Sequence, residues 1–192
     1  MSTVGGVTLI GTIAGYVCVG MLLVAGTHHL IRRAPFVDQL RAQLGWTRTA
    51  ATSLALVVAV LEIAIGGTGA FALSTAPGSG ELLRAALVLA AGQFLVYGLY
   101  LRWLMSTVDG PVPCACHSTP VPASGWTVGR TIALAILGGI ACGTAGSVVA
   151  PLDPAGLPAV VVSVPIGIAL WILPEALATR PTPSIPPRVV QQ

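Results

Sequence analysis

Between residue 4 and residue 177 the chain is dominated by long apolar runs, and most of its few charges fall where those runs stop. A bilayer core about 30 Å thick is crossed by roughly 20 helical residues at about 1.5 Å each. Five runs have that length: Val4–Gly26, Thr49–Leu73, Glu81–Met105, Trp126–Ala150 and Leu157–Leu177. Only 8% of the residues are charged, against about 25% in soluble domains, so a water-soluble fold would have nothing to coat its surface with. The chain therefore reads as an all-α integral membrane protein in contact with lipid. Four core helices and a fifth C-terminal one, kinked at Pro165, make up residues 1–180, and a proline-rich tail makes up 181–192. The first run lacks the basic n-region of a signal peptide and is long enough to span, so it is read as retained.

The net charge of +3 comes from arginine, since the chain has no lysine. Arginines at helix ends mark orientation in a bilayer and not a nucleic-acid footprint. Arg32, Arg33, Arg41 and Arg48 follow the first run, Arg102 and Arg130 flank the third connection, and Arg180 and Arg188 lie in the tail. With five spans these regions share a face, leaving Arg84 alone on the other. The positive-inside rule then puts the N-terminus outside, and the third connection and C-terminus in the cytoplasm. Within the first connection, Phe36, Leu40 and Leu44 recur at helical spacing, which predicts a short interfacial helix over Pro35–Leu44.

The third connection carries the densest chemistry, Pro113-Cys114-Ala115-Cys116-His117. Thiolate is the reactive form of cysteine, and nearby cations such as Arg102, Arg130 or a protonated His117 favour it. Two thiols one residue apart can form a strained, exchange-prone disulfide or resolve a mixed one. The alternatives are two incidental loop cysteines, or a metal site. Cys114, Cys116 and His117 with His28 or His29 make a Cys2His2 set for zinc, and the thiolates alone suit copper(I). The first and third connections are two crossings apart, so His28 and His29 share a membrane face with this loop. Their plainer reading is a helix end, where histidine meets the negative end of the dipole. A haem held between facing histidines is set aside, because the three histidines are read as lying outside the spans.

Glu62 sits mid-span, where a charge costs at least about 2.5–3.5 kcal/mol. It reads as a proton relay, as the partner of an arginine near the loop, or as a neutral acid bonded to a neighbouring helix through Gln93. Cys18 and Cys142 fall within spans and read as small apolar residues. Gly139-x-x-x-Gly143 and Gly66-x-x-Gly69 read as close-packing faces.

Taken together, Ala25-Gly26 with His29 three positions on, Phe36, Leu61-Glu62 with Gly66, the C-x-C loop and Arg130-Thr131-Ile132-Ala133-Leu134 resemble the MauE family of methylamine-utilisation proteins, related to DoxX-like membrane proteins. The likeness covers about residues 15–145. Departures are Ala115 and His117 where the family loop runs roughly C-G-C-F-G, His29 for a lysine, and Thr131 for an asparagine. The resemblance implies a bacterial cytoplasmic-membrane protein that assists maturation of periplasmic redox enzymes alongside a thioredoxin-like protein. That setting wants the cysteine loop outside, opposite to the arginine count. The expected function is a thiol–disulfide relay in which Cys114 and Cys116 exchange with a thioredoxin-like partner or client redox enzyme, Arg130 favours the thiolate and Glu62 handles a proton, with no cofactor. The alternative is a non-enzymatic subunit that binds copper or zinc at the Cys/His loop or scaffolds a larger membrane complex.

Overall fold

The computed structural model describes residues 3–75, 79–108, 113–114, 121–149, 151 and 156–178. Among these residues six α-helices follow one another: α1 Thr3–Ile31, α2 Arg33–Leu44, α3 Arg48–Ser74, α4 Gly80–Thr107, α5 Gly125–Gly143 and α6 Leu157–Ala178. Gly6–Ile31, α3, α4 and α5 are each long and apolar enough to cross a membrane. This is the expected all-α membrane bundle, with α6 as a further apolar helix packed mainly on α1. Between α4 and α5, β1 (Pro113–Cys114) pairs antiparallel with β2 (Val121–Pro122), and Cys114 lies across from Val121. Cys116, His117 and the tail from residue 179 onward, including the boundary at 180, lie outside the described residues.

Lipid reverses the usual logic of burial. Val57, Val60, Val88, Leu89 and Ile136 face outward, where acyl chains solvate them. The interior is built instead from small residues that let backbones meet. On α3 the buried stripe is Ala51, Ala55, Ala59, Glu62, Gly66, Gly69 and Ala72, at helical spacing. A Cβ added at Gly66 would lie 2.9 Å from Leu23 Cγ of α1, and one at Gly69 2.6 Å from a Val19 methyl. From the other side, a Cβ at Gly26 would meet Glu62 Cβ at 2.9 Å and the Ala59 carbonyl at 3.1 Å. The single carboxylate of α3 therefore sits inside its tightest seam.

Two boundaries differ from the sequence reading. The first helix runs through Ile31 rather than stopping at Gly26, because nothing from Thr27 to Ile31 breaks it. His28 and His29 thus lie inside its last turn, which removes the ground on which haem was set aside. The fourth span ends at Gly143, seven residues before Ala150. There Thr144 Oγ1 donates to the Ala141 carbonyl and the chain tightens into a 3-10 turn over Ala145–Ser147. Gly139 and Gly143 face open space, and the close approach on α5 is at Gly138, against Ala91. The interfacial helix forms as expected. Pro35 fits its first turn, Val37 and Leu40 are buried, and Gly45 closes it with φ 65°.

Substituting Gly26→Val should destabilise the bundle by about 1–3 kcal/mol, the range for overpacking. Gly139→Val, into lipid, should stay within about 0.5 kcal/mol of wild type. Unfolding by SDS titration in mixed micelles checks the contrast.

Candidate functional site

The site is built where the last turns of α1, the first half of α3 and the loop ends of α4 and α5 meet, with α2 and α6 closing it. Glu62 is completely buried. His29 Nδ1 lies 2.7 Å from its Oε2, and the Tyr97 hydroxyl of α4 donates to its Oε1 at 2.9 Å. Gln93, one turn before Tyr97, donates Nε2–H to that hydroxyl at 2.6 Å. Both carboxyl oxygens thus have a partner, which is the condition for keeping such a group in lipid. The partner of Glu62 is a histidine rather than an arginine, and Gln93 reaches it only through Tyr97. His29 is further fixed by stacking on Phe36 of α2, ring centroids 4.2 Å apart and 13° from parallel.

Arg130 enters from α5. A capping box between Ser124 and Thr127 starts that helix, so Arg130 falls in its second turn and points into the bundle, 6% exposed. Its Nη1 donates to the Leu170 carbonyl of α6 at 3.1 Å. Four residues after Leu170 comes Pro174, which has no N–H to give that carbonyl, so the arginine satisfies a group that proline leaves over. Arg130 Nε has no hydrogen-bond partner among the described residues. Beside it on α6, Trp171 meets His28 edge-on at 5.7 Å.

These side chains surround a cavity of about 250 Å³. His29, Glu62, Tyr97 and Arg130 border it, Phe36, Leu40 and Leu44 of α2 cover one side, and Phe94, Leu101 and Leu134 are among its apolar walls. Gln43 of α2 accepts a hydrogen bond from Tyr100 of α4 at 2.9 Å, tying the cover to the bundle. Glu62, Arg130 and His29 were candidates from the sequence, and the fold brings them to one cavity. Gln93 was a candidate too, as a link from Glu62 to a neighbouring helix, and it reaches Glu62 through Tyr97; Tyr97, Tyr100 and Trp171 are the residues the sequence did not single out. The available signal was Gln93 and Tyr97 one turn apart in an otherwise apolar span, a spacing that puts both on one face.

The remaining candidates stand apart. Cys18 is fully buried with its thiol directed at the Leu134 carbonyl at 3.4 Å, a packing role, and Cys142 is half-buried. Cys114 is described in its backbone position within β1. Among the described residues no three His, Cys, Asp or Glu side chains come together as metal ligands. The Cys114, Cys116 and His117 set falls largely outside them.

Removing one member of a buried, hydrogen-bonded pair costs about 3–5 kcal/mol. Glu62→Ala and His29→Ala should each lose that much stability, and the double variant less than their sum. A double-mutant cycle read by SDS unfolding measures the coupling.

The family model described as methylamine utilisation protein MauE matches residues 7–145. No curated protein and no solved structure matches the chain.

Proposed function

The chain belongs to the MauE family of membrane proteins, and from that premise we propose that it is a thiol–disulfide exchange protein assisting the maturation of a redox enzyme. Cys114 and Cys116 are its working sulfurs. One forms a mixed disulfide with a thioredoxin-like partner or client, and the other resolves it. Each full exchange moves two electrons and two protons between the pair and the partner.

The observation that carries this reading is the convergence of Arg130, Glu62 and His29 on one cavity, bordered by the two helices between which the cysteine loop is strung. The loop joins α4 to α5. The last turns of α4 and the first of α5 supply Tyr97, Tyr100, Leu101, Arg130 and Thr131 to the cavity. A buried cation one and a half turns into α5 provides a positive field beneath the loop, which favours thiolate over thiol. The His29–Glu62–Tyr97 chain supplies side chains able to take up and return the protons that exchange releases. The antiparallel pairing of Cys114 with Val121 ties the start of the loop to the strand that leads into α5.

The setting proposed is the bacterial cytoplasmic membrane. The arginine distribution supports an N-terminus outside and a loop in the cytoplasm.

A Cys116→Ser or Cys114→Ser variant, whichever removes the resolving sulfur, should accumulate a mixed disulfide visible as a reducible adduct on non-reducing gels. Absence of any adduct in both variants overturns the relay. A membrane-impermeant maleimide applied to intact cells should leave Cys114 and Cys116 unlabelled. Labelling from outside reverses the orientation and moves the exchange to the periplasmic face.

A further inference from the structure

The cavity asks for a ligand of particular chemistry. Phe36, Phe94, Tyr97, Tyr100 and Trp171 line it, five of the ten Phe, Trp and Tyr residues in the chain. A chain that is 5% aromatic and spends half its rings on one small space has built a container for a planar ring, since rings favour offset or edge-on ring partners. An acyl chain would be served as well by the leucine and valine abundant elsewhere. At the polar end, Arg130 is only 6% exposed, yet its Nε–H has no acceptor among the described residues. A buried donor left unpaired costs about 1–3 kcal/mol, more when charged, so the missing group is a hydrogen-bond acceptor. The cavity is reached from the side of the bilayer. Val96, on its rim, is 61% exposed on the outer face of α4, and Leu54 and Val58 of α3 are only partly covered.

A planar ring, an acceptor oxygen and entry from lipid together describe one class of molecule. We propose that the cavity binds a lipid-soluble quinone, whose carbonyl oxygen accepts from Arg130, and that this quinone takes the electron pair of the reduced Cys114–Cys116 dithiol. The redox half rests on the exchange function proposed above; the binding half does not. A volume of about 250 Å³ lies just below the usual range of about 300–1,000 Å³ for ligand pockets, so it takes the ring and leaves an isoprenoid tail in the bilayer. The step balances. Two S–H bonds break and one S–S bond forms, the dithiol loses two electrons and two protons, and the two quinone carbonyls become the two hydroxyls of the quinol. The His29–Glu62–Tyr97 chain on the cavity wall can carry the second proton. Because the acceptor lives in the lipid, it reaches the cavity whichever membrane face carries the loop.

The test uses the full-length chain in nanodiscs of neutral phospholipid, titrated with decylubiquinone and read by tryptophan fluorescence. Saturable quenching is expected, with most of its amplitude lost in Trp171→Phe and the apparent Kd raised about tenfold or more in Arg130→Met. Ala25→Phe, which fills the cavity from α1 without touching the polar end, should abolish saturation and serves if the arginine variant does not fold. Quenching that is non-saturating, or equal in wild type and Trp171→Phe, overturns the site. Protection of Trp171 by palmitate but not by decylubiquinone also overturns it and makes the cavity a lipid-anion site. The pre-reduced wild type should then convert about one equivalent of quinone to quinol, followed by quinone absorbance. The Cys114→Ser/Cys116→Ser double variant should bind with unchanged quenching and reduce none. Saturable binding with no quinol formed by the wild type overturns the redox half, and failure of the mixed-disulfide trap removes the relay without altering the quenching.

Discussion

One carboxyl group in the middle of a lipid-embedded helix sets the terms for everything around it. Glu62 cannot be solvated there, so the protein surrounds it with hydrogen-bonding partners: an imidazole from α1 at 2.7 Å and a phenol from α4 at 2.9 Å. Those two contacts fix three helices against one another at a single depth. They also explain why α3 buries alanines and glycines on the same face. A seam that holds the carboxyl within hydrogen-bond reach of α1 has no room for larger side chains between the backbones.

The second constraint is the arginine that follows the cysteine loop. Arg130 docks α6 by covering the Leu170 carbonyl that Pro174 leaves over, and Trp171 beside it rests on His28. From its described side chains α6 contributes Trp171 to the cavity and no charge, but it finishes the enclosure and gives Arg130 a partner at one nitrogen. Its apolar sequence alone would let it sit anywhere in the lipid around the bundle. Proline chemistry decides where.

The spans were legible because the bilayer imposes a length and a composition that few other structures imitate. Glu62 was legible for the same reason, as the lone carboxyl of its span. Its partner was not. His29 was placed beyond the helix because hydropathy falls at Thr27, whereas helices end at backbone breakers, and here the first of those after Gly26 is Pro35. The early stop of α5 was hidden in the opposite way. Hydropathy stays high to Ala150, while glycines at 138, 139, 143 and 146 weaken the helix and Thr144 turns its end. Tyr97 and Trp171 acquire meaning only when α4 and α6 are seen against α1, which no single-helix periodicity reports. Of the glycine pairs, 66 and 69 lie at the α1 seam and 139 and 143 face outward; spacing alone could not separate them.

The contact between Gly26 and the backbone of α3 has a further implication. Most buried acid–histidine pairs are adjustable, since either side chain can swing to follow its partner. Here α1 lies so close at Gly26 that even a Cβ would run into the Ala59 carbonyl and the Glu62 and Ile63 side chains, one turn before His29. The separation of the pair is thus gauged by backbone against backbone, like a stop on a calliper. Movement of α1 relative to α3 can slide along that stop or twist about it, but cannot shorten it.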